Sequence, residues 1–400
     1  MKNIIFIIST LQECDAFFSF VSGLKDKNKN LNIITFIDDP ECFEELKRNK
    51  SLFLGYKKIG TLIGRERKKN KISQKFYNFF WMIKLVLIIK KFENTILFSS
   101  DFYNIYRNMP QIFCRKKALK PVLLMPHSMI WNCQYEELKR RIAKYKFYKK
   151  SFRNEIFNLK PKGYMYYNDN QLPYANYLKK NYKFEKKQIC CSGLGTETNF
   201  YINFFDREYK KNSKKLSFIK REGKKNIFSI IAAAHGPYLL KNDSQDRILK
   251  KILIGIMECN KNSIILIRTH PKSNKNYFLK IIKDLKIKKN IYITKVHPQI
   301  LARASNRIIF YARTNIMTDI FRTKMIDCTE YKKEDLNKHI GYGIIYVHPQ
   351  KKNFEEKFKK VLLNDNFFLN KKIYSKEKEF IKNNKFKYQK VESFLKTNIL

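Results

Sequence analysis

Acidic residues are scarce in this chain. Across 400 residues, 35 Asp and Glu stand against 83 Lys and Arg, a formal net charge of +48. That imbalance invites a nucleic-acid partner. The lysines, however, run along the whole chain and accompany heavy Ile, Asn, Phe and Tyr usage. This is the pattern of AT-rich coding rather than of one polyanion-binding face. No nucleic acid is expected, and an anionic membrane surface or an anionic substrate fits the charge better. The eight cysteines, at 14, 42, 114, 133, 190, 191, 259 and 328, include no CxxC pair and no His/Cys metal spacing. Several fall in apolar, strand-like runs, which reads as reduced, buried thiols of a cytoplasmic protein. No carboxylate cluster suited to a divalent ion is evident, so neither metal nor cofactor is expected.

Long hydrophobic runs are missing too. The apolar start, Ile4–Ile8, is too short for a signal peptide, and Gln12, Glu13 and Asp15 follow it without a small-residue cleavage site. It reads as a first strand. Residues 76–89 are the nearest approach to a membrane span, but Asn78 and Lys84 interrupt them. They predict an amphipathic helix, buried or lying on a membrane. Internal repeats and low-complexity tracts are absent beyond the Lys/Asn bias.

What is present is an alternation of short β-branched runs with longer helical ones. Hydrophobic residues make up 44 % of the chain, ample for a sizeable core. Strands are expected at residues 4–8, 31–37, 95–98, 121–125, 163–167 and 188–191, with helices between them and a basic loop at 56–72. A polar stretch, 206–225, is the expected interdomain linker. A second alternation follows, with strands at 227–234, 264–267, 291–294, 307–311, 325–328 and 344–347. A charged helical tail runs from about 353. This order predicts α/β architecture: two doubly wound Rossmann-like domains, 1–205 and 226–352, facing a cleft.

The run Ser263–Ile267 ends in Arg268-Thr269-His270-Pro271. Apolar on both faces, it suits a buried parallel strand, which Pro271 ends by lacking an N–H. Arg268 and His270 then sit at the carboxyl edge, where open α/β sheets bind ligands and where an Arg, a His and free amides suit a phosphate. The plainer reading is an ordinary strand end with a surface His. Three other strand ends carry comparable residues: His235-Gly236 after Ala232-Ala-Ala234, Thr314-Asn315, and Glu330. A plain turn would explain the first, and a helix N-cap the second, without a ligand. His297-Pro298 and His348-Pro349 repeat the dipeptide, and a Pro opening a helix accounts for the first.

Taken together, Arg268-Thr-His-Pro271, Tyr311-Ala-Arg-Thr-Asn315 and Ile326-Asp-Cys-Thr-Glu330 resemble the GT-B glycosyltransferases of bacterial surface-polysaccharide synthesis. The likeness is to the subset with a His-Pro motif: sialyltransferases, Kdo transferases and CDP-glycerol polymer transferases. It implies an inverting, metal-independent transfer from a nucleotide-linked donor, CMP-linked favoured, to a glycan or glycolipid such as capsule or lipopolysaccharide. It implies further that His270 and the turn at Thr314-Asn315, where those families often carry two serines, hold the donor phosphate; Glu330, a carboxylate on the same rim, could take the ribose hydroxyl pair. The base that removes the acceptor proton would come from the first domain. His127, Asp101 and Glu13 are the candidates, with Asp38 and Asp39 as further carboxylates at strand ends. Pro126-His127-Ser128 stands where the polymer transferases show His-Gly. A nucleotide-sugar epimerase of the same architecture and a basic nucleic-acid-binding protein remain the alternatives.

Overall fold

The computed structural model describes residues 3–68, 70–91, 95–100, 119–125, 136, 139–140, 162–220, 226–232, 244–270, 273, 275–287, 290–311, 324–331, 344–369, 379, 382–383 and 385–399. The described residues form two units. The first runs to Ile202 and takes in the C-terminal stretch from 385 onward, and the second begins at Asn203.

In the first unit, β1 (Asn3–Ile8), β2 (Asn32–Ile37), β3 (Thr61–Gly64), β4 (Thr95–Ser99), β5 (Leu119–Leu124), β6 (Gly163–Tyr166) and β7 (Ile189–Cys191) form one parallel sheet in the order β3-β2-β1-β4-β5-β6-β7. β1 is buried from Ile4 to Ile8, as its apolar run predicts for a central parallel strand. β5 contains Pro121, which cannot donate to a ladder. β6 pairs β5 only from Val122 onward, so Pro121 sits where one flank of the strand has no partner.

Four helices alternate with these first strands: α1 (Leu11–Lys27), α2 (Pro40–Arg48), α3 (Lys50–Ile59) and α4 (Lys71–Lys91). Local chemistry starts them. Thr10 and Glu13 close a capping box on α1, and Asp39 caps α2 with Pro40 in its first turn. The basic stretch 56–72, expected as a loop, instead contains the end of α3 and the edge strand β3, whose register with β2 runs from Ile34↔Thr61 to Ile37↔Gly64. α5 (Leu172–Tyr182) precedes β7.

α6 (Asn199–Lys220) carries the chain across the division between the units. The polar stretch read as a linker is therefore helical through Lys220. Tyr201, Phe204 and Phe205 are buried at its start, and that apolar grip on the first turns is what the charge-rich sequence after residue 206 obscured.

The second unit holds β8 (Ile227–Ile231), β9 (Ile264–Arg268), β10 (Ile291–Thr294), β11 (Arg307–Phe310), β12 (Met325–Asp327) and β13 (Ile345–Tyr346), again all parallel, in the order β10-β9-β8-β11-β12-β13. Alternate residues serve opposite faces. Phe228, Ile230, Ile265, Ile267 and Ile309 pack with α7 (Ser244–Cys259), α8 (Lys275–Asp284) and α10 (Phe354–Leu363). Ile227, Ile231, Ile264, Leu266 and Phe310 pack with α9 (Pro298–Ala304) on the other side. Both faces are covered, as an all-parallel sheet requires.

The last helix, α11 (Tyr388–Ile399), belongs to the first unit. The segment before it is fastened there: Lys387 N–H donates to Ser192 O at 2.8 Å, and the Phe386 ring packs 5.8 Å from that of Phe20. Phe386 fills the space over Gly23, where any added Cβ would lie 2.7 Å from its ring.

Candidate functional site

Both sheets have a strand order that reverses beside the first strand of the unit, between β1 and β4 and between β8 and β11. In open parallel sheets that point, at the carboxyl ends of the strands, is where ligands bind.

In the second unit, Arg268 is the last residue of β9 and pairs with Ile231 and Thr294 on its two sides. Arg268 and Thr269 are buried and His270 is half-buried, two residues past the strand. Ser273 N–H donates to His270 O at 2.9 Å and turns the chain there. Glu330 follows β12 by three residues at the same edge, 1 % exposed. Three strand-to-strand steps separate β9 from β12, about 14 Å, with the switch point midway. Neither carboxylate oxygen of Glu330 has a hydrogen-bond partner among the described residues. Its nearest described cation, Arg247 on α7, has Nη2 3.7 Å away and is half-exposed. A buried carboxylate without hydrogen bonds costs free energy unless something supplies donors.

The turn that presents Glu330 is built on Asp327, the last residue of β12. Asp327 Oδ1 accepts from Thr329 N–H at 2.9 Å, and Oδ2 accepts from Tyr331 OH at 2.8 Å. Tyr346 OH donates to Thr329 O at 3.0 Å and ties the turn to β13. Burial pushes the Asp327 carboxyl up to about 6, and its two hydrogen-bond donors oppose that rise. Burial likewise holds the Tyr331 phenol well above its ordinary value. In the sequence Asp327 stands inside the Ile326–Glu330 motif without a distinguishing neighbour. The available signal was an Asp ending an apolar strand, a position where a carboxylate needs donors.

In the first unit, Glu13 crosses the switch point. Its Oε2 accepts from Ser9 N–H at 2.7 Å and Thr10 N–H at 3.3 Å after β1, and its Oε1 accepts from Ser100 OH at 2.7 Å after β4. Asp38 is buried and accepts from Trp81 Nε1–H at 3.3 Å, and Asp39 caps α2 by accepting from Cys42 N–H at 2.7 Å. His297 caps α9: its Nδ1 accepts from Gln299 N–H at 3.1 Å, and its ring stacks on Phe205 at 4.5 Å. Asp101, His127, His235, Gly236, Pro271, Thr314 and Asn315 lie outside the described residues. His235-Gly236 and Thr314-Asn315 are the residues that follow β8 and β11, the two strands flanking the switch point.

A pocket of about 400 Å³ in the second unit lies elsewhere, where strands begin, lined by Asn226, Phe228, Arg307, Lys324 and Asp365. Arg307 and Lys324 both pair there with Asp365, so its cations are answered internally. No group of three or more His, Cys, Asp or Glu among the described residues could hold a metal ion.

No protein-family model matches the sequence, and no curated protein does. Solved structures do. A UDP-GlcNAc 2-epimerase from Neisseria meningitidis, bound to UDP-GlcNAc, superposes with a TM-score of 0.57 at 10 % identity, over 95 % of this chain and 98 % of that one. The chain has the GT-B fold. Two further solved structures share this fold. A glycosyltransferase from Rickettsia africae matches with a TM-score of 0.54 at 15 % identity, over 99 % of this chain and 98 % of that one. An Anabaena protein in complex with UDP and glucose matches with a TM-score of 0.55 at 9 % identity, over 99 % of this chain and all of that one.

Proposed function

We propose that the chain is a glycosyltransferase that moves a sugar from a nucleotide-linked donor, CMP-linked with Kdo or sialic acid, onto a growing surface glycan such as capsule or lipopolysaccharide. The second unit binds the donor and the first the acceptor, in the cytoplasm at the inner face of the membrane. One observation carries the reading: Glu330 is a buried carboxylate, without a hydrogen-bond donor among the described residues, on the strand edge that also carries Arg268 and His270. A ribose supplies two hydroxyl donors to such a carboxylate, while Arg268, His270, His235-Gly236 and Thr314-Asn315 supply the phosphate with cations and amides.

In the transfer, a base takes the proton of the acceptor hydroxyl as its oxygen bonds to the anomeric carbon. The bond from that carbon to the donor phosphate oxygen breaks. The electron pair leaves on the nucleotide phosphate, whose charge Arg268 and His270 stabilise. Since Glu13 already accepts three hydrogen bonds across β1 and β4, the base role is assigned to His127, with Asp101 as its alternate.

The second reading is a nucleotide-sugar epimerase, favoured by the epimerase structure from Neisseria meningitidis that shares this fold. A thermal-shift panel of CMP, CDP, UDP and GDP on wild type and His270→Ala tests the donor site. One nucleotide should stabilise the wild type, by about 2.7 kcal/mol at a hundredfold excess over Kd, and the variant should lose that response. An equal response in both proteins sinks the assignment of His270. Incubating the preferred nucleotide sugar without acceptor separates the readings by NMR. A transferase leaves the sugar's configuration unchanged, whereas an epimerase converts it.

A further inference from the structure

α4 makes polar contacts on one side and exposes a row of apolar side chains on the other. On a 3.6-residue helix, Gln74, Tyr77, Asn78, Trp81 and Ile88 share one arc. That arc is held to the protein by hydrogen bonds and by the buried Trp81 ring, which packs edge-on against Phe36 at 5.8 Å. Lys68 N–H donates to Gln74 Oε1 at 2.6 Å, Glu66 N–H to Tyr77 OH at 3.2 Å, Arg65 Nε to Asn78 Oδ1 at 3.0 Å and Trp81 Nε1–H to Asp38 Oδ1 at 3.3 Å. On the opposite side, within an arc of about 100°, stand Ile72, Phe76, Phe79, Phe80, Ile83 and Leu87, each between 38 and 65 % exposed. A contiguous exposed apolar stripe of this kind marks a surface that meets something else.

Charge says what that is. Lys75 and Lys84, both exposed, fall on the two flanks of the stripe. Between residues 50 and 91 the chain has twelve Lys and Arg and one Glu. Large aromatic side chains bordered by lysines, whose stems lie along apolar surface while their ammonium groups reach phosphates, fit the boundary of an anionic bilayer. A second copy of the chain would bring the same lysines against each other, at +48 per chain. No described helix is long and apolar enough to cross a membrane, so α4 would lie in the boundary rather than span it. We infer that the outer face of α4 docks the protein on an anionic lipid surface. The inference deepens the membrane setting proposed above, yet its readout is separate from nucleotide binding.

The test is co-sedimentation of the full chain with phosphatidylcholine vesicles, with and without about 30 % phosphatidylglycerol. Wild type should bind the anionic vesicles and not the neutral ones. The Phe76→Ser/Phe80→Ser double variant keeps every charge and should bind about tenfold more weakly. Lys75→Glu/Lys84→Glu should lose binding at low salt. Both variants should keep the wild-type thermal midpoint and nucleotide response, which shows that they fold. Equal vesicle binding by wild type and the serine variant would overturn the inference, because bulk charge would then suffice. A wild type that ignores vesicles would overturn it too, as would a dimer that the serine variant converts to monomer, which would assign the stripe to a second copy.

Discussion

Tyr331 donates its phenolic hydrogen to Oδ2 of Asp327 at 2.8 Å, across a turn whose third residue, Thr329, gives its amide hydrogen to Oδ1 of the same carboxylate. Glu330 lies between the two donors in sequence, and this turn holds it at the end of β12. Asp327 therefore holds the turn that presents Glu330.

This relationship makes stability depend on pH. The folded Asp327 carboxyl titrates at about 6, against 3.8 for an ordinary Asp. Between those values the folded chain holds a proton that the unfolded chain has released. The contribution of Asp327 to stability is thus greatest below about pH 4 and is lost as pH rises through 6, by on the order of 3 kcal/mol. Asn at 327 can accept from Thr329 and donate to Tyr331 without titrating. The difference in thermal midpoint between Asp327→Asn and wild type should grow from pH 5 to pH 7.5. A constant difference would contradict the burial-driven shift.

Glu330→Gln should separate stability from binding. Replacing a buried carboxyl group that lacks hydrogen bonds among the described residues should leave the ligand-free protein as stable or about 1 kcal/mol more stable. The same change should weaken nucleotide affinity about tenfold and reduce the preference for a ribonucleotide over its 2′-deoxy analogue. Calorimetric titration with both nucleotides measures this. Unchanged discrimination would remove Glu330 from the ribose.

Glu13→Ala should cost about 2 kcal/mol in urea denaturation, because it strips a cap from α1 and leaves donors on Ser9, Thr10 and Ser100 without their acceptor. Glu13→Gln keeps an acceptor for the amides and should recover about half of that loss. A neutral alanine variant would show that water replaces the carboxylate at no cost.

Gly195→Ala should destabilise the first unit by more than about 3 kcal/mol. Its Cβ would lie 1.8 Å from the carbonyl oxygen of Ser19 on α1, a backbone atom that moves only with the helix. Ser19→Ala removes just the hydroxyl that accepts from Gly195 N–H at 3.1 Å, and should cost about 1 kcal/mol. Denaturation midpoints of the two variants give the comparison, and similar losses would mean that the turn can shift.

The sequence by itself determined what depends on near neighbours along the chain. Ile4–Ile8 and Ile264–Ile267 were legible as parallel strands because apolar residues on both faces need cover on both faces. The alternation of such runs with helical ones was enough to imply two doubly wound sheets, and Pro298 marked the start of its helix. The Arg268-Thr-His-Pro271 stretch could be assigned to a strand end on the same grounds. Only the tertiary structure decided what depends on partners far away in sequence. β3 is a strand because β2 offers it an edge, not because Thr61–Gly64 insists on it. Asp327 is a buried, proton-binding group because β11 and β13 flank its strand. The apolar residues of α4 were visible as a helix in the sequence, but the side on which they lie was fixed by Asp38 and the 65–68 loop, which take the helix by its polar face. Period and caps are local properties, whereas burial and facing are set by the packing of distant segments.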